Sequence, residues 1–289
     1  MQLTSTNNPI GLIYALKKFL VMKNIKTKWD YSNLAKHYDL RADYSEKLIK
    51  KILRNINCRP NYPVADIGAG TGKLTKLLAK YNLIVSAIEP NKNMSFYGKQ
   101  NTKIYKNVNW STGTGENTDL KSNSVYCTFF GSSFNTVNYK KTFNEIKRVL
   151  IDKGFFCCMW NHRYLKNIHQ KEIEKIIKFH IPNYQYGDRR IDYTKIIIRE
   201  KSFTDVRKIT QRFYTKIKKN DFINAWKSHG TLLRNCKNTN QFNKIIKSIT
   251  IYVNSLKKSY VEVPYDNVAY IARLKCEIFN NTGRVNLNV

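Results

Sequence analysis

Residues 64–75 read Val-Ala-Asp-Ile-Gly-Ala-Gly-Thr-Gly-Lys-Leu-Thr, and this stretch constrains the fold more than any other. An apolar run enters an acid, Asp66. Glycines then recur at alternate positions, Gly68, Gly70 and Gly72, and an apolar-periodic segment follows with Leu74, Leu77 and Leu78. The pattern predicts a buried strand, a glycine-lined turn and a helix. Glycine has no Cβ and tolerates positive φ, so such a turn lets a ligand lie against bare main chain. A phosphate loop would need G-x-x-x-x-G-K-[ST], but Ile67 stands where the first Gly should be and Leu74 follows Lys73. The dinucleotide series G-x-G-x-x-G fails at its third position, which is Lys73.

A second apolar run, Leu83 to Ile88, predicts a parallel-type strand and ends in Glu89-Pro90-Asn91. An acid about twenty residues beyond a glycine turn suits the vicinal hydroxyls of a ribose. Strand and helix patterns keep alternating to about residue 165, which predicts a parallel sheet covered on both faces. Ligands of such sheets sit at the carboxyl ends of the strands.

Together, Asp66 and the D-x-G-x-G-x-G spacing resemble the S-adenosylmethionine (SAM) loop of class I methyltransferases. The resemblance runs through Ser111–Asn117, the strand at 123–130 and the helix Thr142–Leu150, which is similar to E-x-x-R-V-L followed by a turn. It covers about residues 34–165 well and Tyr260–Lys275 more loosely, and is strongest to the UbiE-like, type 11 group. It implies an α/β, Rossmann-like class I methyltransferase sheet, mostly parallel with the last strand antiparallel, carrying helical lid insertions. It also implies SAM as cofactor, with S-adenosylhomocysteine as product, bound by Asp66, Gly68, Ala69, Gly70, Gly72, Glu89, Pro90, Thr114, Gly115, Glu116 and Phe130. Three departures stand out. Tyr126 replaces a frequent Asp, Asp152-Lys153-Gly154 replaces Pro-Gly-Gly, and Phe134-Asn135-Thr136-Val137 replaces Phe-His-Trp-Phe. The last removes one candidate base.

The expected division is an N-terminal helical cap over 1–33, a SAM-binding core over 34–165 and an insertion over 166–200. A sheet strand follows over 201–216, a helical lid over 217–258, and a closing strand and tail over 259–289. In detail, helices are expected over 10–22, 171–180, 221–233 and 241–256, with an aromatic polar loop over 182–190. The segment 38–44 resembles the family's Y-x-x-x-R-P-x-Y, which makes Tyr38 and Arg41 candidate substrate residues, joined by Asn135 and Trp160. Candidate catalytic groups are His162, Tyr44 and His229.

The net charge is +31 over 289 residues. Residues 1–160 and 161–289 carry 25 and 26 basic residues against 10 acids each, so the excess is uniform and forms no stripe. Abundant Lys, Asn and Ile fit AT-rich coding, and the charge is read as a solvated surface or as suited to an acidic substrate. The six cysteines form no C-x-x-C, and Cys157-Cys158 should point to opposite faces of a strand. No secretory leader or ~20-residue apolar run stands out, which fits a cytoplasmic setting.

The expected function is SAM-dependent methyl transfer to a small-molecule or lipid-like metabolite by in-line SN2 displacement, with no metal. The alternatives are an RNA methyltransferase, for which nucleic acid would be the partner, and a non-catalytic SAM-binding scaffold. The acceptor atom and the oligomeric state stay open.

Overall fold

The computed structural model describes residues 40–276. The expected N-terminal helix over 10–22 and Tyr38 lie outside these residues. Seven strands form one sheet in the order β3-β2-β1-β4-β5-β7-β6. The strands are β1 (Pro63–Ile67), β2 (Ile84–Ile88), β3 (Val108–Ser111), β4 (Val125–Gly131), β5 (Leu150–Arg163), β6 (Phe203–Lys218) and β7 (Tyr260–Leu274). β1 through β5 pair in parallel, and β7 runs antiparallel to both β5 and β6. This is the sheet expected from the sequence. The order reverses between β1 and β4, and a crevice opens at such a reversal.

Helices α1 (Glu46–Asn55) and α2 (Lys73–Lys80) place Leu48, Ile49, Ile52, Leu74 and Leu78 in one core, on the face that also receives Cys157. Helix α4 (Tyr139–Val149) covers the opposite core with Phe143, Ile146 and Val149, joined by Cys158. The adjacent cysteines therefore do point to opposite faces, and both are buried free thiols. A third cluster unites α5 (Ile168–His180), α7 (Lys219–Lys227), α8 (Gly230–Asn235) and α9 (Thr239–Ser255) with Val261 and Val263 of β7. This helical layer packs around Trp226, Ile245 and Ile249.

Asparagine side chains begin several helices. Asn138, Asn167 and Asn238 each accept a backbone N–H from the first turn of α4, α5 and α9, as does Asn91 for α3 (Lys92–Thr102). A side-chain oxygen at this position satisfies a donor the helix cannot.

Two local expectations are corrected. Asp152-Lys153-Gly154 is not a turn ahead of the fifth strand. Pairing jumps from Val125↔Leu150 to Cys127↔Phe155, so these residues bulge within β5, with Lys153 at φ +58°. The helix expected over 221–233 is broken, because the His229 ring accepts the Leu232 N–H at 3.1 Å and starts a new helix at Gly230. Past the loop at 182–190, α6 (Thr194–Arg199) forms, and the preceding Tyr193 is wholly buried against Trp160, ring centroids 4.3 Å apart.

Helix α3 presses on the glycine turn through Gly98. A Cβ there would lie 2.1 Å from the Trp110 ring and 2.9 Å from the Gly70 carbonyl oxygen. The ring itself is fixed by Nε1–H donation to Thr102 Oγ1 at 3.0 Å. Gly98→Ala is expected to cost about 1–3 kcal/mol by overpacking, read as a lowered urea midpoint. An unchanged midpoint would show that α3 is not in tight contact with the turn.

Candidate active site

The turn after β1 is built from left-handed glycines, with φ of +71° at Gly68, +59° at Gly70 and +80° at Gly72. The Gly68 and Ala69 N–H groups donate to the Ile88 carbonyl at 2.8 and 3.0 Å, which folds the turn over the end of β2. Added Cβ atoms have unequal consequences. At Gly68 one would meet Ser133 Cβ at 2.5 Å, whereas at Gly70 the nearest neighbour is the tip of Met94 at 3.3 Å. Gly68 is thus needed by the fold, and Gly70 leaves its main chain open to the cavity it lines.

Asp66 closes β1 and has no exposed surface. One carboxylate oxygen accepts the Thr75 hydroxyl at 2.6 Å. The other, Oδ1, has no hydrogen-bond partner among the described residues. Burial pushes the Asp66 pKa up to about 7, opposed by the Thr75 hydrogen bond and helped by the nearby Glu89 charge. Glu89, also buried, accepts Gly70 N–H at 2.8 Å and Asn91 N–H at 2.9 Å on separate oxygens. Each oxygen keeps a second lone pair. Burial raises the Glu89 pKa against these two hydrogen bonds.

The cavity above the turn is lined by Asp66, Gly68, Ala69 and Gly70 below, and by Arg41, Tyr44, His162, Tyr184, Trp226 and His229 above. Two histidines from distant parts of the chain thus line the same cavity as the turn. His162 Nε2 lies 2.7 Å from the Arg189 carbonyl oxygen. That oxygen only accepts, so Nε2 carries the proton and Nδ1 holds the lone pair. Burial first, then Arg190, lower its pKa to about 4. His229 spends Nδ1 on the Leu232 N–H, so its neutral ring presents Nε2–H as a donor. Burial and four arginines hold its pKa well below the usual value.

A network not visible in the sequence fixes the approach segment. Asn161 Nδ2 donates to the Ala42 and Asp43 carbonyls at 3.1 and 3.0 Å. Its oxygen accepts from Asn267, whose own oxygen accepts Ser45 N–H at 2.8 Å. Residues 42–45 are thereby tied to β5 and β7. Tyr44 hydroxyl then lies 3.0 Å from Ser132 Oγ, and Arg41 donates to Ser228 between α7 and α8.

Other candidates fall elsewhere. Thr114, Gly115 and Glu116 form a loop after β3. Thr114 Oγ1 accepts Asn117 N–H, Gly115 is buried, and Glu116 accepts Asn138 N–H at 2.7 Å. With Glu89 and Pro90 they stand at the β2 and β3 ends, beside the turn but outside the residues lining the main cavity. Phe130 and Trp160 are fully buried, and Trp160 Nε1 donates to Asn135 Oδ1 at 2.9 Å. Neither Trp160 nor Asn135 lines the cavity. Among the described residues no group of three or more His, Cys, Asp or Glu side chains gathers as a metal site.

Asp66 makes a stability prediction. A carboxyl whose folded pKa is raised from 3.8 to about 7 stabilises the fold only while protonated. The contribution is complete below pH ~4 and is lost as pH rises through about 7, a difference of roughly 4 kcal/mol at most. Asp66→Asn should therefore raise the unfolding free energy of the ligand-free protein at pH 8 by roughly 2–4 kcal/mol. At pH 4 the gain should nearly vanish. Urea unfolding at both pH values measures this, and equal destabilisation at both would contradict the buried-carboxyl account.

Comparison with known proteins agrees with this fold. Over 158 residues the chain is 27% identical to a Dictyostelium discoideum protein provisionally named a methyltransferase, covering 53% of this chain and 57% of that one. The chain thus spans little more than half the length of that relative. A provisionally assigned type II methyltransferase from Anaeromyxobacter dehalogenans superposes with a TM-score of 0.60 at 13% identity, over 82% of this chain and 99% of the other. Haemonchus contortus phosphoethanolamine N-methyltransferase 2, a structure in complex with S-adenosyl-L-methionine, gives 0.50 at 14% identity, over 85% and 57%. Residues 65–158 match the family model described as a methyltransferase domain, and the sheet that holds them is the Rossmann-like sheet of these methyltransferase structures.

Proposed function

We propose that this chain binds SAM over the glycine turn and transfers its methyl group to a small molecule held in the cavity beneath the helical layer. The observation that carries the reading is Asp66, a buried carboxylate with one oxygen unpartnered at the sheet's reversal point. An ammonium group would satisfy that oxygen, and the amino-acid end of SAM carries one. The turn offers no lysine-and-hydroxyl pair for a triphosphate.

The remaining roles follow from the chemistry of each group. Asp66 would hold the amino group, and the main chain at Gly68–Gly70 would lie along the ligand. The spare lone pairs of Glu89 would accept the ribose hydroxyls. Pro90 and the Thr114–Glu116 loop would flank the adenine. The cofactor supplies a methyl group already activated on a sulfonium, so the protein's tasks are alignment, exclusion of water and, where needed, removal of a proton.

Proton removal is where the site is weakest. His162 has its only lone pair on Nδ1 and a pKa near 4, so it accepts protons poorly at neutral pH. His229 faces the cavity as a donor. Tyr44 is engaged with Ser132. This set suits an acceptor that is nucleophilic without a strong base, such as a thiol, an amine or a stabilised carbanion. The aromatic enclosure by Tyr184, Tyr186, Trp226 and Tyr265 suits a small molecule better than a polynucleotide.

The test begins with calorimetric titration of S-adenosylhomocysteine. Wild-type protein should bind it, and Glu89→Ala and Gly70→Ala should each weaken binding at least tenfold, about 1.4 kcal/mol, while the proteins stay folded. Methyl-labelled SAM with cell extract should then label a nuclease-resistant small-molecule fraction. Wild-type affinity in both variants would overturn the cofactor site, and nuclease-sensitive label would assign the acceptor to RNA instead.

A further inference from the structure

The upper cavity wall is unusually rich in arginine. Arg163 comes from the end of β5, Arg189 and Arg190 from the short 3-10 turn Gly187–Arg190, and Arg41 from the segment before α1. Lys73 lines the same cavity but is bridged to Asp43 at 2.6 Å. The one acid in the lining is Asp66, on the floor. Glu174 of α5 forms an ion pair with Arg163 at 3.1 Å, accepts the Tyr186 hydroxyl, and acts on Arg190 only through its more distant charge.

Arg189 and Arg190 have no carboxylate partner among the described residues. Arg190 donates to the Arg163 carbonyl at 3.0 Å and stacks 5.0 Å from the Tyr186 ring centroid, so its position is set without its charge being neutralised. Arg163 lies 4.4 Å over the Trp226 ring. Like charges gathered this way repel, and the strain registers on the neighbours. Arg190 is itself lowered, by burial first and then by Arg163, and His229 is held neutral among Arg163, Arg41 and Arg189. An independent sign of a missing ligand is Tyr184. It lines the cavity, is 6% exposed, and its buried hydroxyl has no hydrogen-bond partner among the described residues.

We infer that the methyl acceptor carries an anionic group, a phosphoryl or a carboxylate, seated among Arg163, Arg189 and Arg190, with the Tyr184 hydroxyl and His229 Nε2–H as neutral donors. The inference rests on the proposed reading of the cavity as the acceptor site. SAM's own carboxylate is a single negative charge, and one guanidinium answers it, whereas the cavity wall holds two, Arg189 and Arg190, with no carboxylate partner among the described residues. Planar guanidinium forks match both phosphate and carboxylate oxygens. The anion would thus anchor the acceptor at the roof, leaving its nucleophilic atom free to face the glycine turn.

The probes are phenyl phosphate, benzoate and the neutral benzamide, which share a ring and differ in charge. Each is titrated calorimetrically into the full chain, with and without saturating S-adenosylhomocysteine, at a salt concentration that screens surface charge. One anion should bind at least tenfold more tightly than benzamide, and the tighter of the two names the group. Arg189→Gln and Arg190→Gln should each weaken that binding at least tenfold with S-adenosylhomocysteine affinity unchanged within twofold. Lys178→Gln, an exposed charge on α5, should change neither. Anions binding no more tightly than benzamide, or retained fully by both arginine variants, would overturn the inference. Failure of wild-type protein to bind S-adenosylhomocysteine would overturn the cofactor reading separately, because the anion titrations of the ligand-free protein still decide this one.

Discussion

A carboxylate buried at the end of a central strand is the constraint around which the rest of this molecule is arranged. Asp66 is sealed from solvent, has one hydroxyl donor, and sits next to a second buried acid, Glu89. Such a pair is costly to bury, and the fold lowers that cost only in part. Thr75 supplies one hydrogen bond to Asp66, and the N–H groups of Gly70 and Asn91 supply two to Glu89. The deficit left on Asp66 is the physical content of the proposed cofactor site. The same argument explains why the glycine turn carries no cation against these acids, since Lys73 turns away to Asp43.

The upper wall of the cavity has the opposite imbalance. One acid, Asp66, keeps an unsatisfied oxygen at the floor and guanidinium groups lie in excess at the roof, while the sheet and the helical layer hold the two apart. The Asn161–Asn267 pair joins these parts by pinning residues 42–45 against β5 and β7. Arg41 then links the segment to Ser228 of the helical layer. Both histidines are consumed by this scaffolding on one ring nitrogen each, and what remains of them is neutral at physiological pH.

Much of the floor was legible in the sequence because its chemistry is local. Asp66 and the three glycines fall within seven residues, and Glu89 follows at the end of the next strand, so strand patterning was enough to bring them together. The parallel pairing of the first five strands followed from alternating strands and helices. The roof was legible only in fragments. Arg41, Tyr44, His162 and His229 stood out as residue types, but Arg189 and Arg190 join them through an insertion whose packing no short-range pattern encodes. The Asn161–Asn267 bond spans 106 positions and leaves no periodic signal. The break at Ser228–His229 was missed because a histidine ring serves there as the helix cap, a task usually given to Ser, Thr, Asp or Asn. Trp160 reads in the sequence as pocket or core, and full burial against Tyr193 and Tyr270 places it in the core.

The central claim is that the unpartnered oxygen of Asp66 is there to meet an ammonium group. Counting protons as S-adenosylhomocysteine binds tests this most directly, by calorimetry at pH 6 in two buffers of different ionisation heat. With a ligand-free pKa of about 7, Asp66 is mostly protonated at pH 6 and must ionise to receive the ligand. Close to one proton (roughly 0.9) should be released per ligand bound, and the release should vanish at pH 8.5. Binding with no proton release at pH 6 would contradict the account.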